Sequence, residues 1–306
     1  MVHDPVLSSA PKAGAAPTTW SDLAPLAPER VGEAAALAAA AFLHSPGYCY
    51  IFEGLSEAKR LEALTWLFRK NFALRLPEGT CRCGFKLNFR AEPGGGGGAR
   101  AEMVCAFMLQ LPGTPGISAW VMVKHGILSL PLRYGLRALR RLLEVMEHHE
   151  AVEEAVRAAN PGVGFSALER MVVKPGAQGQ GLGSRFLGQA LAVEARAGRA
   201  LLLSTQEARN VAFYARFGFT VLHEGPYFRC TQRASGGAPA AAGATPVTVY
   251  TMVRAPSGTS LKTPAEMPEI GSKEEKAGGG LGLWVVVAFV AALAVVVASQ
   301  VKSSFY

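Results

Sequence analysis

The sequence predicts a mixed α/β domain built on a sheet that contains a parallel strand pair, followed by one C-terminal transmembrane helix. Three observations carry this. From Phe165 to Phe219 the chain reads strand, glycine-rich turn, long helix, strand, short helix, the order that places two strands side by side and parallel. Two pairs of alternating apolar runs, one on each side of that unit, read as hairpins. Leu281 to Ala298 is an unbroken apolar run without a single charge.

A chain of 306 residues, half of them hydrophobic, has room for one domain with tails rather than for several domains. Its net charge of +8 raises the question of nucleic acid, but the Lys and Arg are dispersed. The densest basic stretch, Arg133 to Arg141, has helical spacing and reads as a solvated or membrane-facing helix side, so no nucleic-acid partner is expected. Anionic partners such as a phosphate-rich cofactor or an acidic lipid surface stay open. Five cysteines are an odd number and no signal peptide precedes them, which predicts a reduced, cytosolic domain. Cys81 and Cys83 suit one face of a strand, and no second ligand pair at metal-site spacing accompanies them; no metal is expected.

In chain order, residues 1–19 are rich in Pro, Ala and Ser and predict a disordered tail, and the domain is expected over 20–254. Arg30 to His44 is strongly helix-favouring and Ser45-Pro46-Gly47 reads as its end; Ser56 to Leu74 predicts a second helix with Leu61, Leu64, Leu67 and Phe68 on its apolar face. Two strands are expected between Thr80 and Leu111, joined by the glycine run Pro93 to Gly98, which lacks the Lys-Ser/Thr of a phosphate loop and reads as a linker. Residues 127–159 predict one or two amphipathic helices closed by Asn160-Pro161-Gly162. After the central unit, Thr220 to Arg229 pairs with Val247 to Arg254 around the Ala/Gly-rich loop Ser235 to Thr245.

Residues 255–280 are polar and glycine-rich and predict a flexible linker, with a random-coil reach of roughly 28 Å. The span 281–301 matches the roughly 20 residues that cross a hydrocarbon core of about 30 Å. A buried core helix and a removable lipid-anchor signal are the competing readings; the linker argues against the first, and the lack of an N-terminal signal against the second. With only Lys302 to Tyr306 after it, the expectation is a single-pass C-terminal anchor that leaves the catalytic domain in the cytosol.

The segment that carries chemistry is Gln178-Gly179-Gln180-Gly181-Leu182-Gly183, between a β-rich run and a helix. Glycines there let the backbone turn sharply and present successive N–H groups to an anion, and the helix N-terminus adds a favourable dipole. A pyrophosphate suits such a cradle. A dinucleotide fingerprint is the rival, but it requires an acidic residue at the end of the second strand, where Ser204-Thr205 stand. At this point the sequence resembles the GNAT superfamily of N-acetyltransferases, whose motif Gln/Arg-x-x-Gly-x-Gly/Ala is filled by Gln178, Gly181 and Gly183, with Val172, Val173 and Pro175 at its lead-in. The run Arg209 to Phe219 is similar to the family's later segment, with Asn210, Tyr214, Gly218 and Phe219 at matching places, and "AAFLHSPGYCYIFEG" and "LTWLF" look like one branch of the family.

The resemblance implies a mostly antiparallel twisted sheet with a splayed parallel pair and acetyl-CoA as co-substrate in the V between those strands. By the same resemblance, Met171, Val172 and Val173 hold the pantetheine and acetyl group. Gln178, Gly179, Gln180, Gly181, Leu182, Gly183 and Ser184 bind the pyrophosphate, with Asn210 as a further cofactor contact, unless Asn210 is simply the N-cap of its helix. Tyr214 stands where the family places the acid that protonates the leaving thiolate, and a backbone N–H near Val172 or Val173 suits the developing oxyanion. Glu169 is the candidate base, on the expectation that it shares an alternating side with Met171 and Val173; a surface ion pair with Arg170 is its plainer reading. His148, His149 and His223 read as surface residues. The implied function is acetyl transfer to a small-molecule amine, the alternatives being a protein N-terminus or lysine as acceptor, or an inactive CoA-binding sensor.

Overall fold

A computed structural model describes residues 19–89, 99–114, 125–230 and 245–264. The alternating runs form strands β1 (Thr19–Trp20), β2 (Ala24–Pro25), β3 (Cys81–Phe89), β4 (Ala99–Gln110), β5 (Phe165–Val173), β6 (Ala200–Thr205), β7 (Thr220–Cys230) and β8 (Thr245–Arg254). They form one sheet in the order β1-β3-β4-β5-β6-β8-β7, with β2 also on β3. Each pairing is antiparallel except β5 with β6. This is the mixed, mostly antiparallel sheet expected, and Cys81 and Cys83 are buried together on one face of β3.

Helices cover both faces. On one lie α1 (Val31–Phe42), α2 (Pro46–Ile51), α3 (Glu57–Arg75), α4 (Leu130–Tyr134) and α5 (Leu136–Ala159), which bury Ala35, Ala38, Leu64, Phe68, Leu130 and Leu139 against Met103, Ala106, Met108 and Val172. On the other lie α6 (Leu182–Arg196) and α7 (Ala208–Ala215); Phe186, Leu187 and Leu191 of α6 pack on Cys105, Phe107, Leu168 and Leu201. Each Leu, Phe, Met or Val among these contributes roughly 1.5–3 kcal/mol by leaving water. The helix α2 departs from the sequence expectation. Ser45-Pro46 does not merely stop α1; Ser45 is the extended N-cap and Pro46 the first residue of this new helix.

Three contacts fix α6, whose N-terminus matters below. Gly84 of β3 admits the Phe186 ring so closely that a Cβ there would lie 2.2 Å from it. Asp22, between β1 and β2, accepts from Arg185 (3.0 Å) and Gln189 (2.8 Å), and Gln189 accepts from the Leu23 N–H (2.7 Å). At the far end Glu194, fully buried, takes a bidentate pair from Arg199 (2.7 and 2.9 Å) and a hydrogen bond from Ser166 (2.5 Å). Burial alone would raise the Glu194 pKa, but these donors outweigh it and hold the carboxyl below its usual range.

The chain after β8 is not yet linker. Asn160 donates to the Lys262 carbonyl (2.9 Å) and accepts from the Lys262 N–H (2.7 Å), and Leu261 packs against the cluster of Val156, Leu202 and Val253. Residues 255–264, expected to be flexible, therefore belong to the domain. Residues 1–18 of the predicted tail, the glycine loop, the loop Ser235 to Ala244 and the expected span 281–301 lie outside the described residues, while Thr19, the last residue assigned to that tail, pairs with Leu87 in β1. Among the described residues no helix is long and apolar enough to cross a membrane.

Gly84→Ala is expected to lower stability by roughly 1–3 kcal/mol in urea unfolding, because the added methyl overpacks the Phe186 ring. Gly188→Ala, on α6 where nothing lies within 4 Å of the new methyl, is expected to be neutral or stabilising by up to about 1 kcal/mol.

Candidate active site

The parallel strands β5 and β6 are paired only over Phe165↔Ala200, Ser166↔Leu201 and Ala167↔Leu202, although both continue, β5 to Val173 and β6 to Thr205. Beyond Ala167 the two diverge and leave a V in the sheet, lined by main-chain groups that no neighbouring strand satisfies. The ladder to β4 shows which groups these are. The Lys174 N–H donates to the Val104 carbonyl (2.8 Å), so alternation turns the Val172 amide toward β4 and the Val173 N–H and C=O into the V. Consistent with this, the Val173 carbonyl is reached by Gln178 Nε2 (3.2 Å). Of the two amides considered for an oxyanion, only that of Val173 faces the opening.

A bulge makes β5 bend. Arg170 sits at φ 53°, a left-handed conformation that costs a non-glycine residue about 1 kcal/mol or more, and the register to β4 slips between Ala106 and Met108. The extra residue reverses the alternation. Leu168, Met171 and Val173 share the α6 face, while Val172 packs on the α1 face. Glu169 thus lies opposite Met171 and Val173, not beside them as simple alternation predicts. Its two oxygens are held by Gln110 and Arg170, next to Met108 and Tyr48. Burial pushes the Tyr48 phenol up, and the Arg170 charge works against that.

At the α6 end, Pro175–Ala177 forms a short 3-10 turn, and Gly179 (φ 78°) and Gly181 (φ 77°) then take the left-handed conformation that glycine alone adopts cheaply. Gly181 is the N-cap of α6 and contributes no side chain, so the amides through Leu182, Gly183 and Ser184 meet no capping oxygen. Gly183 has ordinary φ; it is small because a Cβ would meet Phe213 of α7 at 3.4 Å and Val173 at 3.7 Å. Gln180 is exposed on the loop, and of the nearby cations the half-buried Lys174 pairs with Glu102 and the exposed Arg185 with Asp22.

On the β6 side, Asn210 is not the N-cap of α7; that position is Glu207, and the Asn210 amide donates instead to Thr205 Oγ1 (3.0 Å). Tyr214 packs edge-on to Phe213 (5.1 Å) and Phe219 (5.6 Å). Burial, with Cys105 of β4 adding to it, pushes its phenol up to about 12. It is therefore a protonated donor at neutral pH.

Sequence reasoning missed what roofs the V. Gln206, just past β6, accepts from the Gly47 N–H (2.8 Å) and Ser45 Oγ (3.4 Å), and so ties the start of α2 to the open end of the sheet. Tyr50 of α2 donates to Glu144 of α5 (2.8 Å), and Arg141 of α5 pairs with Glu53 and donates to the Tyr50 carbonyl (2.8 Å). The histidines also differ from expectation. His148 is half-buried, and burial first, then His223 and His149, lowers it to about 4; burial lowers His223 as well. No one-dimensional pattern announces these contacts, because each joins residues far apart in the chain.

Residues 142–221 match the model of the acetyltransferase (GNAT) domain. No curated protein matches the sequence. Solved structures of similar fold include an acetyltransferase of Corynebacterium glutamicum described with histone acetyltransferase HPA2 (15% identity, TM-score 0.46, covering 78% of this chain and 98% of that one). Others are the polyamine N-acetyltransferase of Drosophila melanogaster (15%, 0.44, 78% and 100%) and arylalkylamine N-acetyltransferase 2 of Aedes aegypti (11%, 0.46, 76% and 97%). The GNAT match spans α5, β5, α6, β6 and α7, the elements that build the V.

Because Arg170 holds the bulge in a left-handed conformation, Arg170→Val is expected to cost about 1–3 kcal/mol more than Arg170→Gly, although both lose the Glu169 pair. Urea unfolding of the two variants measures the difference.

Proposed function

We propose that this protein is an acetyl-CoA-dependent N-acetyltransferase that transfers acetyl to a primary amine by direct attack on the thioester. The observation that carries the reading is the V itself, with the Val173 N–H on its inner edge and an uncapped, glycine-built helix start at its mouth. The fit to acetyl-CoA is chemical. The amides of Gly179 to Ser184, with the Gln178 side chain bracing the loop, offer donors and a positive helix end to a pyrophosphate. The exposed main-chain edge of Met171 and Val173 offers the strand-like pairing that an amide-bearing pantetheine accepts, and Asn210 stands at the β6 side.

In this mechanism acetyl-CoA supplies the activated acyl group, and the chain's residues do the rest. The Val173 N–H stabilises the negative charge that develops on the carbonyl oxygen as the amine nitrogen bonds to the carbonyl carbon. Glu169 lies on the α1–α2 face, away from α6, where an acceptor amine enters opposite the CoA; it takes the amine proton, directly or through a water, once Arg170 or Gln110 releases one of its oxygens. Tyr214 gives its proton to the sulfur as the C–S bond breaks.

We further infer that residues 281–301 form a single membrane anchor, with the catalytic domain on the cytosolic side. The support is the apolar run itself, free of charge up to Lys302.

Free-thiol release against a panel of amines is expected to show amine-dependent turnover. Tyr214→Phe is expected to lower kcat by roughly 10²-fold or more, and Gly181→Val to raise KM for acetyl-CoA with a smaller effect on kcat. With the phenol near 12, Tyr214 is expected to cause no alkaline loss of activity below about pH 10. Failure of every amine to stimulate thiol release would count against the enzyme reading. For the anchor, the full chain is expected to stay in the membrane pellet through alkaline carbonate extraction, with the domain cleaved by protease added outside intact vesicles; release into the supernatant, or protection of the domain, would overturn it.

A further inference from the structure

Between Glu102 and Glu144 the chain carries no Asp or Glu at all, but does carry Lys124, Arg133, Arg137, Arg140 and Arg141. The structure gathers much of this stretch at the junction of α4 and α5. Leu132 and Leu136 are the most exposed large hydrophobics among the described residues, at 68% and 65%. Arg133, Arg137 and Arg140 are exposed beside them, and the Arg133 guanidinium lies 5.9 Å from the ring centre of Trp66 on α3, with Lys70 Nζ at 6.0 Å from the same ring.

Fold stability does not account for this arrangement. The first turn of α5 has no acidic residue and no side-chain cap, and it places Arg137 at the positive end of the helix dipole, where a cation is unfavourable. Two leucines in water contribute no burial. The basic character stops after two turns, where Glu144 and Glu147 follow, so the feature is an end-on tip rather than a stripe along the helix. Its acidic neighbour on α3, Glu62, is already paired with Lys59 (3.0 Å). Arg141 does not contribute, being buried against Glu53.

Apolar side chains beside arginines that form no ion pair among the described residues match an interface of acyl chains below anionic headgroups. The geometry points to the α4–α5 tip as a docking surface for an anionic membrane, with Leu132 and Leu136 entering the interface and Arg133, Arg137 and Arg140 on the headgroup phosphates. Such docking turns the α5–α2 side of the active site toward the bilayer, since Tyr50 and Arg141 bind α2 to the same helix. It acts on the domain, independently of the anchor proposed above.

Hydrogen exchange of the full chain tests it, with vesicles of phosphatidylcholine alone and vesicles containing phosphatidylserine. Exchange in peptides spanning 130–143 is expected to slow by roughly fivefold or more with the anionic vesicles only, and to recover at about 0.5 M salt, where the screening length is roughly 4 Å. The protection is expected to vanish in Arg133→Gln/Arg137→Gln/Arg140→Gln and to weaken in Leu132→Ser/Leu136→Ser, with peptides of β4 and β5 unchanged in both. Equal exchange in the two vesicle types, or protection by an acidic peptide or an RNA but not by vesicles, overturns the proposal. Flotation with neutral vesicles reports separately on residues 281–301, so failure of the anchor and failure of the docking surface give different results.

Discussion

The structure turns on the point at which β5 and β6 stop sharing hydrogen bonds. Three paired residues hold them together, and then the left-handed Arg170 bends β5 away while β6 continues along β8. A sheet ordinarily cannot leave main-chain groups unpaired in its middle, because each buried orphan costs a kilocalorie or more. Here the gap is kept open by what surrounds it: α6 is seated through the Gly84–Phe186 contact, and the Ser166–Glu194–Arg199 cluster pins the end of α6 to the still-paired part of the strands. An opening held in this way is ready to pair with a ligand's amides instead of with a strand.

The same bend sorts the site by face. Met171 and Val173 point to the side of α6 and α7, where the glycine loop and Tyr214 lie, while Glu169 points to the side of α1 and α2, with Tyr48 and Gln110. One inserted residue thus separates the groups suited to an acyl donor from those suited to an acceptor. Gln206, which joins the end of β6 to the start of α2, closes the arrangement by fixing α2 relative to the V.

Much of the architecture was legible in the sequence where periodicity is strong. Helices α1 and α3, the strands and the strand–glycine–helix unit fall close to their expected places, since two-residue and 3.6-residue patterns report burial directly. What escaped was set by single residues or by contacts over long distances. The six-residue α2 is too short for a period, and its Ser-Pro start looks identical to a stop. The face of Glu169 depended on a bulge at an arginine, a residue type that gives no warning of a left-handed backbone. Nothing in the strand pattern marks Gly84 as the place that the Phe186 ring fills, and Gly183 shares a motif with Gly181 for a different reason, packing rather than backbone conformation. The end of the domain was placed too early because Asn160, expected only to close a helix, also holds Lys262.

The central claim is that the open edge of β5, through Val173, receives the thioester. A crystal structure with acetyl-CoA bound measures this directly. The account predicts the thioester carbonyl oxygen within about 3 Å of the Val173 N–H, with the pyrophosphate on the amides between Gly179 and Ser184. A thioester held at the Val172 amide, or a cofactor lying outside the V with β5 and β6 unchanged, would contradict it.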